Sequence, residues 1–246
     1  MESILFDVEM DINCDLGEGI GNDQAIMPYL GSCNIACGGH TGDLESMRST
    51  VMLAREHGVN IGAHPSFLDR INFGRKELNV PSELLKQQIS DQIFVLKDIA
   101  SSLGTSLHHV KPHGALYNLA AKSVETAELI IDIMQDLGDE IYLYVPFNSV
   151  IERLSEKRGV SRCIEVFADR NYNDDFSLVA RTEPNAIIED PEEIKLRVNE
   201  MIKKCAVTSI NGIKMKTEIQ TICLHGDHTN AVQIAKTLYN FKDQNN

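Results

Sequence analysis

Seven short apolar runs, each followed by a loop or an amphipathic helix, limit this chain to very few folds. They lie at residues 10–14, 33–37, 59–63, 107–110, 141–145, 163–167 and 221–224. Rich in Ile, Val, Leu, Ala and Cys, they read as buried parallel strands. Residues 81–103 are the clearest helix between them. Leu85, Ile89, Ile93, Leu96, Ala100 and Leu103 recur on one face, with Pro81 near the first turn and Gly104 at the stop. Residues 123–137 repeat the pattern and stop at Gly138. Asp190-Pro191-Glu192-Glu193 supplies a cap, a proline at the first helical position and an acid three residues after the cap. Residues 44–56 and 231–241 are similar. The alternation has no Pro/Gly/Ser-rich linker, repeat or low-complexity segment. It predicts one α/β domain over residues 1–246: an irregular or incompletely closed (β/α) barrel of about seven parallel strands. Residues 208–215, centred on Asn211-Gly212, read as a small added hairpin. Residues 169–188 form a long loop without helix periodicity, the kind that walls or covers a site.

Composition narrows the function. The 246 residues are 43% hydrophobic, enough for a sizeable core. A net charge of −13 argues against nucleic acid or an anionic membrane as partner. It leaves an anionic substrate open, because one pocket cation about 4 Å from a carboxylate offers roughly 4 kcal/mol at an effective dielectric of about 20. The acidic start Met1-Glu2-Ser3 is unlike a signal peptide, and no apolar stretch is long enough to span a bilayer, so a cytoplasmic location is expected. The six cysteines read as reduced, buried small hydrophobes. Cys33 and Cys37 have no second pair at zinc-finger spacing, so no structural zinc is expected.

Polar residues gather where these strands end, and in a parallel barrel those ends share one face. In Asp11-Ile12-Asn13-Cys14-Asp15 the polar residues share one side of a strand, and Gly17-Glu18-Gly19 then suits a close backbone approach to a ligand. His40 and Asp43 flank a glycine-rich turn into a helix, which could bind an anion or simply be capped by Asp43. His64 stands at a strand end before Pro65. Lys111-Pro112-His113-Gly114 is the most pointed signal, since a lysine at the mouth of a buried strand is rarely packing filler. Asp169-Arg170 offers an ion pair or a functional couple, and His225-Gly226-Asp227 repeats the layout around His40. Arg75, after Phe73-Gly74, is a further loop candidate. Histidines and carboxylates at strand ends also suit a divalent metal, with Asp15, His40 and His64 as candidate ligands. Neither a Gly-x-x-x-x-Gly-Lys-Ser/Thr loop nor a Gly-x-Gly-x-x-Gly fingerprint is present, so a nucleotide would have to bind by another route.

The ordered motifs at residues 11–18, 34–43, 62–65, 110–117, 165–170 and 221–227 resemble those of the LamB/YcsF family, and the likeness covers about residues 10–241. Three positions depart from the family pattern. Gly39 stands where an aromatic is expected, which would enlarge the pocket near His40. Asn185 and Asn230 stand where glycine is usual, and asparagine tolerates positive φ well enough for both turns to survive.

The resemblance implies a barrel akin to the polysaccharide deacetylases and glycoside hydrolases. It further implies an ATP-dependent 5-oxoprolinase activity exerted with partner subunits B and C: 5-oxoproline, ATP and water giving L-glutamate, ADP and phosphate. On that reading Asp15, His64, Lys111 and His113 are the catalytic candidates. Lys111 would hold an anion, Asp15 would act as a base or metal-linked carboxylate, and the histidines would move protons or contact an oxyanion. Asn13, Glu18, His40, Asp43, Arg75, Asp169, Arg170, His225 and Asp227 would bind the small anionic lactam and ATP, with a divalent metal such as Mg. A metal-dependent deacetylase or amidohydrolase acting alone, and a non-catalytic substrate-binding subunit, are the competing readings.

Overall fold

The computed structural model describes residues 11–138 and 140–243. Its strands β1 (Asp11–Leu16), β2 (Ser32–Ala36), β3 (Asn60–His64), β4 (His109–Val110), β5 (Tyr142–Pro146) and β6 (Arg162–Phe167) pair in sequence order, all parallel. A hairpin of β7 (Ala206–Thr208) and β8 (Lys214–Lys216) follows, then β9 (Thr221–Leu224). Each of the seven expected runs contributes a strand, although the expected start at Met10 lies outside the described residues. The barrel is closed, not open: β9 sits between β6 and β1, with Thr221 in register with Glu165 on one side and Asp11 on the other.

The barrel's interior is polar. Side chains that meet across it include Asn13 with Glu165, Asn34 with Asn13, His109 with Asn34, and Ser32 with Tyr144. Barrels of this architecture usually fill the same space with branched aliphatics. Here the aliphatics alternate with the polar residues and face the helices: Ile12, Cys14 and Leu16 on β1, Ile164 and Val166 on β6, Ile222 and Leu224 on β9. Burying so many polar groups is tolerable because each of these has a partner.

The outer layer contains α2 (Leu44–His57), α3 (Ser82–Ser102), α5 (Val124–Leu137), α7 (Pro191–Lys204) and α8 (Ala231–Asp243), close to their expected bounds. Along α3, Leu85, Ile89, Ile93, Leu96 and Ala100 are buried as one stripe. Asp190 caps α7 by accepting from the Glu192 and Glu193 amides, a contact worth about 1 kcal/mol. Three helices escape the periodicity reading because they are short: α1 (Asp23–Ile26), α4 (Gly114–Lys122) and α6 (Val150–Arg158). A local signal for α6 was present nonetheless, the capping box of Ser149 and Glu152.

The segment 168–190 is the expected long loop, pinned by isolated bridges between Arg170 and Ile187 and between Tyr172 and Leu178. Asn185 takes φ 62°, the left-handed conformation expected of it, whereas Asn230 does not need one. Instead its side-chain amide donates to the Glu189 carbonyl and its backbone N–H to His228 Nδ1. All six cysteines are free. Cys205 is exposed and Cys163 half-buried, against the expectation that they pack in the core. Among the described residues no helix is long and apolar enough to cross a membrane.

Candidate active site

Parallel strands deliver Asp15 from β1, His64 from β3 and Lys111 from just beyond β4 to one end of the barrel. His113 follows two residues later, immediately before α4, and Glu18 reaches in from the turn after β1.

Backbone carbonyls orient the two imidazoles. His64 Nδ1 donates to the Lys111 carbonyl at 2.7 Å, and His113 Nε2 donates to the Phe73 carbonyl at 2.9 Å. The remaining nitrogens, His64 Nε2 and His113 Nδ1, face each other at 2.9 Å. Two lone pairs cannot share that separation unless one proton or one cation lies between them. Negative charge brackets the pair: Asp15 Oδ2 is 3.4 Å from His64 Nε2, and Glu18 Oε1 is 3.7 Å from His113 Nδ1. Burial, with His64 and His40 nearby, holds the His113 pKa well below the usual histidine range, favouring a neutral ring. Asp15, Glu18, His64 and His113 present ligand atoms all within 4.8 Å of one another, so they could hold a divalent cation. Carbonyl-anchored outer nitrogens are the usual setting of metal-bound histidines.

His40, expected among the ligands, is not placed to be one. It stacks on His113 with ring centroids 3.7 Å apart, and its two nitrogens are engaged by Glu18 Oε1 and Ser66 Oγ, both at 3.0 Å. It is a wall that steadies His113. Nor does Gly39 enlarge the pocket beside it. The space a side chain would take is filled by Gln92 Oε1 and Ser66 Oγ.

Lys111 is committed to the protein. Its Nζ lies 2.8 Å from Glu165 Oε1, 3.2 Å from both Asp15 Oδ1 and Asn13 Oδ1, and 3.0 Å from Cys223 Sγ. Burial opposes the ammonium charge, but Asp15, Cys223 and Glu165 outweigh it and hold the Lys111 pKa well above the usual lysine range. Burial likewise opposes ionisation of Asp15, but His64 and Lys111 hold its carboxyl well below the usual carboxylate range. The expected role of Lys111 as holder of a ligand anion therefore gives way to that of counter-ion. Its main partner, Glu165, lies inside one of the ordered motifs but has no role legible from sequence. It also accepts from Asn13 Nδ2 at 2.9 Å and from the Tyr117 hydroxyl at 2.7 Å. Asn13 lies in this lower layer, bonded to Glu165 and Thr221, and positions the site from beneath.

Asp169 and His225 form a second couple. Asp169 Oδ1 accepts from His225 Nδ1 at 3.0 Å, and Oδ2 accepts from the His225 backbone N–H at 3.1 Å. Despite burial, the His225 contacts lower the Asp169 pKa to about 2. With Nδ1–H held, the Nε2 of a neutral His225 is an acceptor.

These groups share a cleft of about 380 Å³, lined by Asp15, His64, Lys111, His113 and His225 and by Arg75, Arg170 and Arg181 from the loops. Arg170 donates to the carbonyls of Val179 at 2.5 Å and Ala186 at 3.2 Å, so it shapes the 168–190 loop. Burial, with Arg181 close by, holds its guanidinium pKa down to about 10. Asp227 accepts from both Arg75 and Arg181. Arg181 carried no sequence signal, since an arginine in a loop without periodicity looks like surface charge. Asp43 stands apart from the cleft. It is exposed and caps α2 through a capping box with Ser46, so a protein carboxylate already occupies the anion position of that helix. A larger hollow of about 650 Å³, lined in part by Arg55, Lys97, Leu107 and His108, lies elsewhere and includes none of these groups.

A closed parallel barrel with a carboxylate–imidazole centre where its strands end defines the class: a (β/α)-barrel protein whose site lies at the mouth formed by the strand C-termini. The LamB/YcsF family model matches residues 10–246, and the chain belongs to that family. It is 44% identical over 242 residues to the A subunit of 5-oxoprolinase from Bacillus cereus (strain AH187), covering 96% of each chain. Its identity to the corresponding 5-oxoprolinase chain of Bacillus cytotoxicus is 43% over 237 residues, 94% of each. A crystal structure of the lactam utilization protein from Thermus thermophilus is similar with a TM-score of 0.89 at 34% identity, over 96% of each chain.

Proposed function

We propose that this chain carries the lactam-opening site of a cytoplasmic, ATP-dependent 5-oxoprolinase and works with partner subunits B and C. Relatives named as the A subunit of a 5-oxoprolinase extend over nearly the whole chain, which supports the reading. The observation that carries the chemistry is the His64–His113 pair, whose inward nitrogens meet beside Asp15 in the cleft. Opening a five-membered lactam requires water to be deprotonated, charge on the carbonyl oxygen to be stabilised, and the ring nitrogen to be protonated. His225, steadied by Asp169, is the base for water. The His64–His113 pair returns a proton to the departing nitrogen, with Asp15 stabilising the proton-bearing ring. ATP enters by phosphorylating the lactam oxygen with release of ADP, which makes the ring carbon attackable; water addition and C–N cleavage then leave an acyl phosphate, and a second water releases phosphate and glutamate. Because the sequence has no phosphate loop, the phosphorylation is assigned to the partner subunits.

The four-residue cluster fits a divalent metal. Asp15, Glu18, His64 and His113 would hold it, and its chemistry would be to polarise an oxygen or lower the pKa of a bound water. Mixed imidazole and carboxylate donors suit a zinc-like or manganese ion better than the Mg that accompanies ATP. A cation there would take the place of the shared proton, so the cluster favours a second reading, a metal-dependent deacetylase or amidohydrolase acting alone.

The test follows glutamate release from 5-oxoproline by the purified chain, with and without ATP and subunits B and C. Little or no turnover is expected from the chain alone, and ATP-dependent turnover from the assembly. Asp15→Asn should lower the maximal rate of the assembly roughly a hundredfold or more. ATP-independent release of acetate from an N-acetylated sugar by the chain alone would establish the second reading. Normal turnover with Asp15→Asn would remove this centre from the chemistry.

A further inference from the structure

Two of the cations lining the cleft are consumed by the protein itself. Lys111 sits between Asp15 and Glu165, and Arg170 donates to loop carbonyls. Arg75 and Arg181 are differently placed. Arg75 comes from the loop between β3 and α3, and Arg181 from the 168–190 loop. Both donate to one oxygen, Asp227 Oδ2, at 2.6 and 2.9 Å. Two guanidiniums against one carboxylate leave an excess of positive charge beside the cleft of a strongly acidic protein. Their side chains are 39% and 24% exposed, so N–H groups remain for a ligand. Burial and then the repulsion of Arg181 lower the Arg170 pKa to about 10, and a bound anion would offset that repulsion. Arg75 also lies over the ring of Phe73, 4.9 Å from its centroid. Because the Phe73 carbonyl orients His113, this stacking sets Arg75 at a defined place relative to the imidazole pair.

We propose that Arg75 and Arg181, brought together on Asp227, form the anion-recognising end of the cleft. They take the free carboxylate of a small cyclic amide while its ring carbonyl points to His64 and His113. The proposal rests on the lactam reading above. A planar guanidinium fork matches a carboxylate in two parallel hydrogen bonds. A phosphoryl group could use the same donors, so the probes must separate the two.

The experiment titrates the purified full chain calorimetrically with 5-oxoproline, with 2-pyrrolidinone (the same ring without the carboxylate), with succinate and with inorganic phosphate. Wild type is compared with Arg75→Gln, Arg181→Gln and the double variant, with melting temperatures as a folding control. Wild type should bind 5-oxoproline more tightly than 2-pyrrolidinone. Each single substitution should weaken 5-oxoproline roughly tenfold to a hundredfold while moving 2-pyrrolidinone by no more than about twofold. If glutamine destabilises the loops, Arg181→Lys keeps the charge without the fork and should show a smaller loss of the same kind. Unchanged 5-oxoproline binding in the double variant, equal loss of both lactams, or no binding of any probe by wild type would overturn the proposal. Arginine-dependent binding of phosphate in preference to the carboxylates would overturn it in favour of a phosphoryl site. Arginine-dependent binding of succinate without any lactam binding would sink the lactam reading and leave the anion clamp standing. An assembly that turns over 5-oxoproline with unchanged KM in both single variants would sink the clamp and leave that reading intact.

Discussion

Between Asp15 and Glu165, the Lys111 ammonium is the counter-charge for two carboxylates buried in the barrel. Such a group is costly to desolvate, and its net contribution to folding can be small while it is complete. Removing one member is another matter, because it strands a buried charge. Lys111→Met should therefore destabilise the protein by about 3–5 kcal/mol, read as a shift in the denaturant midpoint. Adding Glu165→Gln to that variant should recover part of the loss by removing one unpaired carboxylate. A Lys111→Met protein of wild-type stability would show that neither carboxylate depends on it. Against burial, His64 and then this Lys111 pairing keep Asp15 ionised, ready for a role that a neutral carboxyl could not fill.

Within the elements, β3 and β4 depend on a glycine at one barrel position. Gly62 is in register with His109, and any Cβ at residue 62 would overlap the His109 ring. That ring cannot easily retreat. It stacks on Tyr144 with centroids 3.9 Å apart, and Nε2 donates to Asn34 Oδ1 at 2.7 Å. Asn34 in turn donates to Asp15 Oδ1 at 2.8 Å, so a displaced His109 would disturb the site from below. Gly62→Ala is expected to cost about 1–3 kcal/mol through overpacking, despite the weak strand propensity of glycine. Equilibrium denaturation checks it. A neutral or stabilising effect would mean the ring has somewhere to go.

For the whole molecule, acid is the informative stress. Asp169, at the start of the 168–190 loop, holds His225 just beyond β9 and so ties that loop to the closing strand. Its folded pKa of about 2 lies below the value of about 3.9 for an unfolded aspartate. The ionised form is the one the fold favours. Its contribution is present in full above the unfolded value and is lost as pH falls through about 4 towards 2. It amounts to about 2–3 kcal/mol. Asp169→Asn should lower stability by about that much near pH 6 and flatten the loss between about pH 5 and 3. Denaturant midpoints across that range decide it, and an acid limb as steep as that of wild type would count against the couple. The depressed pKa values of Asp15 and Asp227 act with the same sign, so the variant should flatten the limb without abolishing it.

Much of the architecture was written locally. Each of the seven apolar runs became a strand, and the stripe of α3, the Asp190 cap and the hairpin follow from residues close together in sequence. So does the convergence of Asp15, His64, Lys111 and His113, since parallel strands must end on the same side. Helices α4 and α6 escape a reading by period because about two turns leave too few apolar repeats to establish one. The polar interior was legible only on β1, where Asp11, Asn13 and Asp15 alternate with apolar residues. Elsewhere the apolar residues dominated each run, and which face of a strand is inside becomes meaningful only when β9 closes the ring. Tertiary structure alone paired Lys111 with Glu165, occupied both nitrogens of His40, and brought Arg181 to Asp227. The physical reason is that a strand or a cap is chosen by neighbours along the chain. The partner of a charge is chosen from every opposite charge the fold brings within a few ångströms, and no local pattern encodes that choice.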